Sequence, residues 1–403
     1  MAELKYWVWM NELGINLVAA HRVISYLGGP KEAFFAERDD FARVPDLTLR
    51  DLEALCNKQL NNVYRIQDDM QAIGGRILTH QDAEYPQRLR DIPDAPLALY
   101  VRGRLPVVDD EAAVAIVGTR RCSPYGMKAS AKIAGEIARH GGVVVTGLAA
   151  GIDGAAAEGA LREGGPVIGV LGTGVERVYP PNHKDLFDAV LESGALVSEY
   201  PPGAEPLGHH FPRRNRIITG LSLALVVLEI PTAKSGAMHS VDHALEQGRD
   251  IFVVPANIDA PTSKASNGLI DDGFQSASTG WRVLRDYTRQ FPKLTQTEKK
   301  ATGVNTDKPL EKAVASTKKE QGSTKKVIDK AEKDGYIDLQ EKLKGKSEEE
   351  RAVAACLGEE PVHIDDIIAQ CQLSAQQVNA CLTTLEITGI IRGYAGKRYS
   401  LNI

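Results

Sequence analysis

Between residues 112 and 255, six short aliphatic runs alternate with stretches of helical periodicity, and no other feature of the sequence restricts the fold so tightly. The runs are "AVAIVG", "GVVVTG", "VIGVLG", "ALVSEY", "LALVVLEI" and "DIFVVP". A strand with one face in water alternates apolar and polar residues. These runs are nearly continuous in Val, Ile and Leu, so both of their faces must be covered. Between them lie "YGMKASAKIAGEIARHGG", "GIDGAAAEGALREGG", "NHKDLFDAVLESG" and "SGAMHSVDHALEQGRD". Most end at glycine, which readily takes the left-handed backbone that closes a helix. Alternation of this kind predicts a parallel sheet with helices on both sides, a Rossmann-like α/β core. The preceding "RILTH" and "LALYVRG" read as two further strands.

The flanks differ in character. Residues 1–70 predict a small helical domain: in "WVWMNELGINLVAAHRVISYLGG" apolar residues recur at three-to-four spacing, punctuated by Gly14, Gly28 and Gly29. Its "LGI...LGGPKEAF" rhythm fits a helix-hairpin-helix-like turn offering backbone N–H groups to a phosphate, and fits plain short-helix packing more readily. The core domain takes residues 71–286. Residues 287–346 are rich in Lys, Glu and Thr with almost nothing to bury, and read as a flexible linker. From 347 to 403, "EEERAVAACLG", "HIDDIIAQCQ" and "SAQQVNACLTTLEITG" predict three helices and "IIRGYAGKRYSLN" a hairpin, together a winged helix. The helix that would enter a groove starts at Ser374 and carries Gln376, Gln377 and Asn379 but no lysine or arginine. Only Arg392, Lys397 and Arg398 on the wing suit phosphate, so docking to a protein is as good a reading of that domain as duplex binding.

A chain of 403 residues with 43% apolar content has room for two or three domains and a sizeable core. Its net charge of -5 argues against a wholly basic nucleic-acid coat but leaves a local basic pocket open. The five cysteines (Cys56, Cys122, Cys356, Cys371, Cys381) are odd in number and contain no C-x-x-C pair. Neither disulfides nor a zinc site is expected, and the cytoplasm is the expected compartment. No charged-then-apolar leader opens the chain. Its longest apolar stretch, "LSLALVVLEI", falls well short of the roughly 20 residues that span a membrane. No metal or cofactor is expected either: "GTRRCSPYG" lacks the G-x-G-x-x-G spacing, and no G-x-x-x-x-G-K-[ST] phosphate loop occurs. The His209-His210 pair has no carboxylate or cysteine at ligand spacing and reads as loop surface. Without a local Ser-His-Asp or Cys-His signature, no catalytic residue is assigned.

In an open parallel sheet, ligands lie outside the carboxyl ends of the strands, where helix N-termini converge. There "VAIVG" is followed by "TRRCSPYG". Gly118 permits close backbone approach, Thr119 can donate, and Arg120 and Arg121 can hold anionic oxygens. "VVVTG" runs into "LAAGIDGAA" and "VIGVLG" into "TGVERVYPPN", so three glycine-rich turns are expected on one crevice. One such loop serves a tight turn as well as a ligand; three on one edge, with an arginine pair, point to an anion.

"HHFPRRNRIITGLS", His209 to Ser222, belongs to the same edge. It predicts a short helix with Ile217, Ile218 and Leu221 turned inward and Arg213, Arg214 and Arg216 at its N-terminus, where positive charge opposes the helix dipole unless an anion is near. Asp153, Glu199 and Glu229, at or near strand ends, are candidate internal partners for one or two of these arginines. The remainder, with Arg120 and Arg121, would face an external anion. Phe211 is either core or an aromatic face on which an unpaired base stacks.

"AIVGTRRCSPYG", "VVVTGLAAGIDGAAAEGAL", "GVLGTGVERVYPPNH", "LVSEYPPG", "HHFPRRNRIITGLS", "VVLEIPTAKSGAMHSVDHALEQGRDIFVVPANID" and "SNGLIDDG", in this order, resemble the DNA-processing protein A (DprA/Smf) family from about Arg76 to Gly273. The resemblance implies a non-enzymatic cytoplasmic protein. It would bind and shield single-stranded DNA and help load the RecA recombinase in natural transformation or other recombination, as a homodimer formed through the Rossmann domain. It assigns phosphate holding to Gly118, Thr119 and Arg120, a second DNA contact to Phe211, Arg214, Asn215 and Arg216, and pocket lining to Thr146, Gly147 and Ser235. The chain departs from the family pattern at Ala157, usually histidine, at Ala256, usually the glycine of "VPG", and at Ala265-Ser266, usually glycine before "N-x-L-I". "SGAMHSVDHA" also departs from S-G-[ST]-x-x-T-A. These are turn and packing positions that bear on local geometry and affinity rather than on fold. Two rival readings stand beside this one. A lysine-decarboxylase-like nucleotide hydrolase would use a P-G-G-x-G-T-x-x-E loop, but "EIPTAKSGAMHSVD" lacks its glycine pair and glutamate. A scaffold would recruit partners through the winged helix and linker without binding DNA.

Overall fold

The computed structural model describes residues 3–295, 347–358, 362–371, 373–388, 390–394 and 398–401. Most of the expected linker, residues 296–346, lies outside them. The chain divides into two compact units, Met1–Val304 and Asn305–Ile403.

Six helices open the first unit: α1 (Leu4–Glu12), α2 (Leu17–Leu27), α3 (Pro30–Phe35), α4 (Arg38–Phe41), α5 (Leu49–Leu55) and α6 (Asn61–Ala72). Their core of Trp7, Trp9, Phe41, Ile66 and Met70 closes on Leu97, Tyr100 and Val175 from beyond residue 70, so helices and sheet share one continuous interior. The sheet begins with β1 (Arg76–Thr79), followed after α7 (Gln87–Arg90) by β2 (Ala98–Gly103). All six aliphatic runs are strands: β3 (Ala113–Gly118), β4 (Val143–Thr146), β5 (Val167–Leu171), β6 (Ala195–Ser198), β7 (Ala224–Leu228) and β8 (Asp250–Val253), with a short β9 (Gln275–Ser276) after them. Strand order is β1-β2-β6-β5-β4-β3-β7-β8-β9. Pairing is parallel from β6 through β9, while β1 and β2 add on antiparallel at the β6 edge.

Both faces are covered, as the strand composition requires. One carries α8 (Pro124–Arg139), α9 (Ile152–Arg162) and α10 (Lys184–Ser193); the other carries α11 (His210–Gly220), α12 (Met238–Glu246) and α13 (Lys264–Asp271). Within β3 the period of two is explicit: Ala113, Ala115 and Val117 join the α11 side, Val114 and Ile116 the α8 side. The first face ends with α14 (Gly280–Leu284), and packing continues past it, since Phe291 and Leu294 are buried in the same core.

The second unit has the expected three helices and wing: α15 (Glu348–Ala355), β10 (Val362–His363), α16 (Ile364–Cys371), α17 (Ala375–Ile387), β11 (Ile391–Tyr394) and β12 (Arg398–Leu401). Its sheet runs β10-β12-β11. Ser374 caps α17 in a reciprocal capping box with Gln377, whose amide also reaches Glu349 at 3.0 Å. Lys397 lies outside the described residues.

Candidate functional site

The chain leaves β3 for β4 on one side and later returns to β7 on the other, so the connections after β3 and β7 diverge and leave a crevice at the carboxyl edge. A cavity of about 570 Å³ opens there. The Gly118–Arg121 loop, Ala149 and Asp153 from the turn into α9, Tyr179, the first turns of α11, and Ser235, Gly236, Ala237 and Ser240 after β7 line it.

The arginine loop is held by its neighbours. A Cβ on Gly118 would run into the Leu228 carbonyl and Ile152, so this position demands glycine for packing as well as for ligand approach. The Thr119 N–H donates to the Glu229 carbonyl at 3.1 Å, and the Ser123 N–H donates to the Glu229 carboxylate at 2.7 Å. The Ser123 hydroxyl also donates to that carboxylate, as does Thr262 at 3.1 Å. Glu229 sits at the end of β7 with φ 41°, a left-handed conformation that a non-glycine residue keeps only under such restraint. It is therefore the strut of the loop and no partner of Arg213, Arg214 or Arg216. Arg120 and Arg121 remain exposed, and the Arg120 guanidinium lies 5.1 Å from the centroid of the half-buried Phe211 ring, itself 5.4 Å from the Tyr179 ring.

The three arginines of α11 have three different fates. The helix begins a turn earlier than expected, at His210, so they sit in its body rather than at its N-terminus. Arg216 is almost fully buried; it donates to both Glu199 carboxylate oxygens at 2.8 and 2.7 Å and pairs with Asp94 at 2.8 Å. The DNA contact expected of it is corrected: no face of its guanidinium is open to a ligand. Arg213 is half exposed, leans on Glu199 at 3.6 Å and is absent from the crevice wall. Arg214 does reach the crevice, but as its floor. It donates to the carbonyls of Gly147 at 2.9 Å and of Val170, and its Nε donates to Asn215 at 3.2 Å. Burial lowers its pKa to about 10, opposed by the attraction of Asp153. Burial likewise pushes the Asp153 carboxyl up to about 6, against the pull of Arg214, the Gly147 N–H at 3.2 Å and Arg120.

Other expected residues fall in place around this floor. Asn215 and Ser235 line the crevice, with the Asn215 amide donating to the Gly236 carbonyl at 3.2 Å. Thr146 and Gly147 are buried behind Arg214 rather than on the wall; a Cβ on Gly147 would collide with the guanidinium. The third glycine turn supplies Tyr179 to the cavity instead of its glycines. Tyr179 and Ser240, both on the wall, were not legible as site residues, because nothing local in "VYPPN" or "MHSVD" marks them. His210 is not loop surface: it is buried, stacked on Tyr200 at 3.9 Å, with Nδ1 at 3.0 Å from the Gly172 carbonyl. Among the described residues, no group of three or more His, Cys, Asp or Glu side chains is arranged to hold a metal. No described helix is long and apolar enough to cross a membrane.

A family model described as DNA recombination-mediator protein A matches residues 76–288, more than half of the chain, and one described as the DprA winged helix domain matches residues 339–397. The chain belongs to the DprA/Smf family. It is 30% identical to Protein Smf of Synechocystis sp. over 99% of this chain and 98% of that protein. It is 39% identical to the DNA processing protein DprA of Streptococcus pneumoniae over 50% of this chain and 71% of that one. The X-ray structure of DNA processing protein A from Streptococcus pneumoniae superposes with a TM-score of 0.61 and 31% identity, covering 70% of this chain and 97% of that one. The family is one of DNA processing, and the crevice of this member is suited to an anion: two exposed guanidinium groups and an aromatic ring at the mouth, with Arg214 and Asp153 buried beneath.

The buried Asp153 carboxyl should make the affinity of this crevice for an anion depend on pH. As pH falls through about 6, Asp153 takes up a proton, its charge no longer offsets Arg214 and Arg120, and the crevice gains one positive unit. Affinity for a polyanion such as heparin is expected to rise several-fold between pH 7.5 and 5.5 in the wild type, and to be higher with a shallower pH dependence in Asp153→Asn. Equal pH slopes in the two proteins would show that Asp153 does not titrate in this range; the comparison cancels contributions from histidines elsewhere.

Proposed function

We propose that this crevice binds single-stranded DNA without chemical turnover. The observation that carries the reading is Arg120 standing 5.1 Å from the half-buried Phe211 ring, with Arg121 beside it, at the mouth of a cavity of nucleotide size. Guanidinium groups hold phosphates, and the ring offers a stacking face that only an unpaired base can reach, since duplex bases are already stacked. Gly118, Thr119, Arg120, Arg121, Phe211, Asn215 and Ser235 are the proposed contacts, Arg214 the floor, and Thr146 and Gly147 its support. The family resemblance extends this to shielding the strand and helping load the RecA recombinase, in transformation or general recombination, by a cytoplasmic homodimer.

A hydrolytic reading would need a free carboxylate. Glu229 is occupied by Ser123 and Thr262 and Glu199 by Arg216, which leaves Asp153, on the cavity lining, as the carboxyl such a reading would use; nucleotide hydrolysis by the wild type and its loss in Asp153→Asn would support it. Fluorescence anisotropy of a labelled oligonucleotide, single-stranded and then duplexed, tests the proposal. The wild type is expected to prefer the single strand, and Phe211→Ala to weaken that binding about 5- to 160-fold, the range for losing one stacked base. Equal affinity for both forms, or no effect of Phe211→Ala, would overturn the single-strand reading.

A further inference from the structure

The crevice has a wall that neither the arginines nor Phe211 account for. Ser235, Gly236, Ala237 and Ser240 line it at the start of α12. No side chain caps this helix at Ala237, so its first turn presents the positive end of the helix dipole; the Met238 and Ser240 N–H groups already donate to the Ser235 and Ala237 carbonyls at 2.9 and 3.1 Å, which leaves the His239 N–H as its backbone donor. Within that turn Ser240 is completely buried, and its hydroxyl has no hydrogen-bond partner. A buried hydroxyl without a partner is a standing cost, and in native proteins it commonly marks a missing ligand or water. The Asn215 amide, bonded to the Gly236 carbonyl at 3.2 Å, fixes the turn against α11. Gly236 itself has nothing within 4 Å of where a Cβ would stand, so the space beside the turn is open.

We propose that the N-terminus of α12 is a phosphate subsite, in which the His239 N–H and the Ser240 hydroxyl donate to a phosphoryl group of a nucleotide or strand. It rests on the single-strand reading of the same crevice and adds to it a second phosphate position, separate from the Arg120–Arg121 loop. A group held by neutral donors at a helix end depends less on salt than one held by exposed arginines.

The test uses the full chain with labelled oligothymidine, displaced by dTMP or by thymidine. In the wild type, dTMP is expected to displace at concentrations at least tenfold lower than thymidine. Ser240→Ala removes one donor and should narrow that ratio several-fold, with a melting temperature at or above that of the wild type because an unsatisfied buried group is gone. Gly236→Asp places a carboxylate in open space at the same turn; it should fold normally and abolish the ratio by repulsion. Tighter binding of a 5′-phosphorylated oligonucleotide than of its 5′-hydroxyl form would assign the site to a strand terminus, and equal binding to an internal phosphodiester. Equal displacement by dTMP and thymidine, or an unchanged ratio in both variants, would overturn the subsite while leaving the crevice reading intact if the oligonucleotide still binds. If the oligonucleotide does not bind at all, the crevice reading fails instead, and direct calorimetric titration with dTMP decides the subsite alone.

Discussion

Arg216→Ala is expected to destabilise the Met1–Val304 unit by about 3–5 kcal/mol, the range for removing one partner of a buried ion pair. The guanidinium is 1% exposed and both of its terminal nitrogens are committed to Glu199, itself 5% exposed. Taking it away leaves a carboxylate in the interior with only the half-exposed Arg213, 3.6 Å distant, to compensate. Asp94 loses its partner as well, loosening the segment before β2. A urea titration reads the effect as a lowered midpoint at unchanged slope. The joint variant Arg216→Met/Glu199→Leu removes both charges and should recover most of the loss, since the penalty lies in the unpaired charge. A loss below about 1 kcal/mol in Arg216→Ala would mean that water reaches the pair, and would reopen the DNA contact that the resemblance assigned to Arg216.

The reversal at Arg216 shows where sequence reading stops. The six strands were legible because continuous Val, Ile and Leu runs report burial on both faces, and their order along the chain fixed the crevice edge. Which arginine faces that crevice is a question of helical phase. At about 100° per residue, Arg213 and Arg216 lie within about 60° of each other on α11, whereas Arg214 lies about 100° from Arg213. The pair three apart shares Glu199, and the one between turns to Asp153 and the floor. Internal ion pairing of one or two arginines was foreseeable from Glu199 and Asp153; assigning them required knowing that the helix starts at His210. Glu229 escaped for a different reason: its role depends on β3 and β7 being neighbours, a pairing between segments more than 100 residues apart. Tyr179 and Ser240 likewise reach the cavity through loops and a helix start whose direction no local spacing encodes.

Arg120→Ala/Arg121→Ala should produce the largest functional loss, about 100-fold in single-strand affinity at low salt, if each guanidinium holds one phosphate. Both side chains are exposed, and among the described residues neither forms a salt bridge with a carboxylate, so their charge is available to an external polyanion. Each phosphate neutralised on a single strand contributes about 0.7 to the slope of log affinity against log salt. The double variant should therefore show a slope shallower by about 1.4, and the two curves should converge at high salt. Its melting temperature should match the wild type, because the fold of this loop rests on Gly118, Ser123 and Glu229 rather than on the arginines. A second consequence separates electrostatics from stacking. With Arg120 gone, Phe211 keeps its place beside Tyr179, so the residual binding at high salt should still fall on adding Phe211→Ala. If the slope is unchanged while affinity drops, the arginines act by positioning Phe211 rather than by meeting phosphate; if neither changes, the strand does not run past this loop.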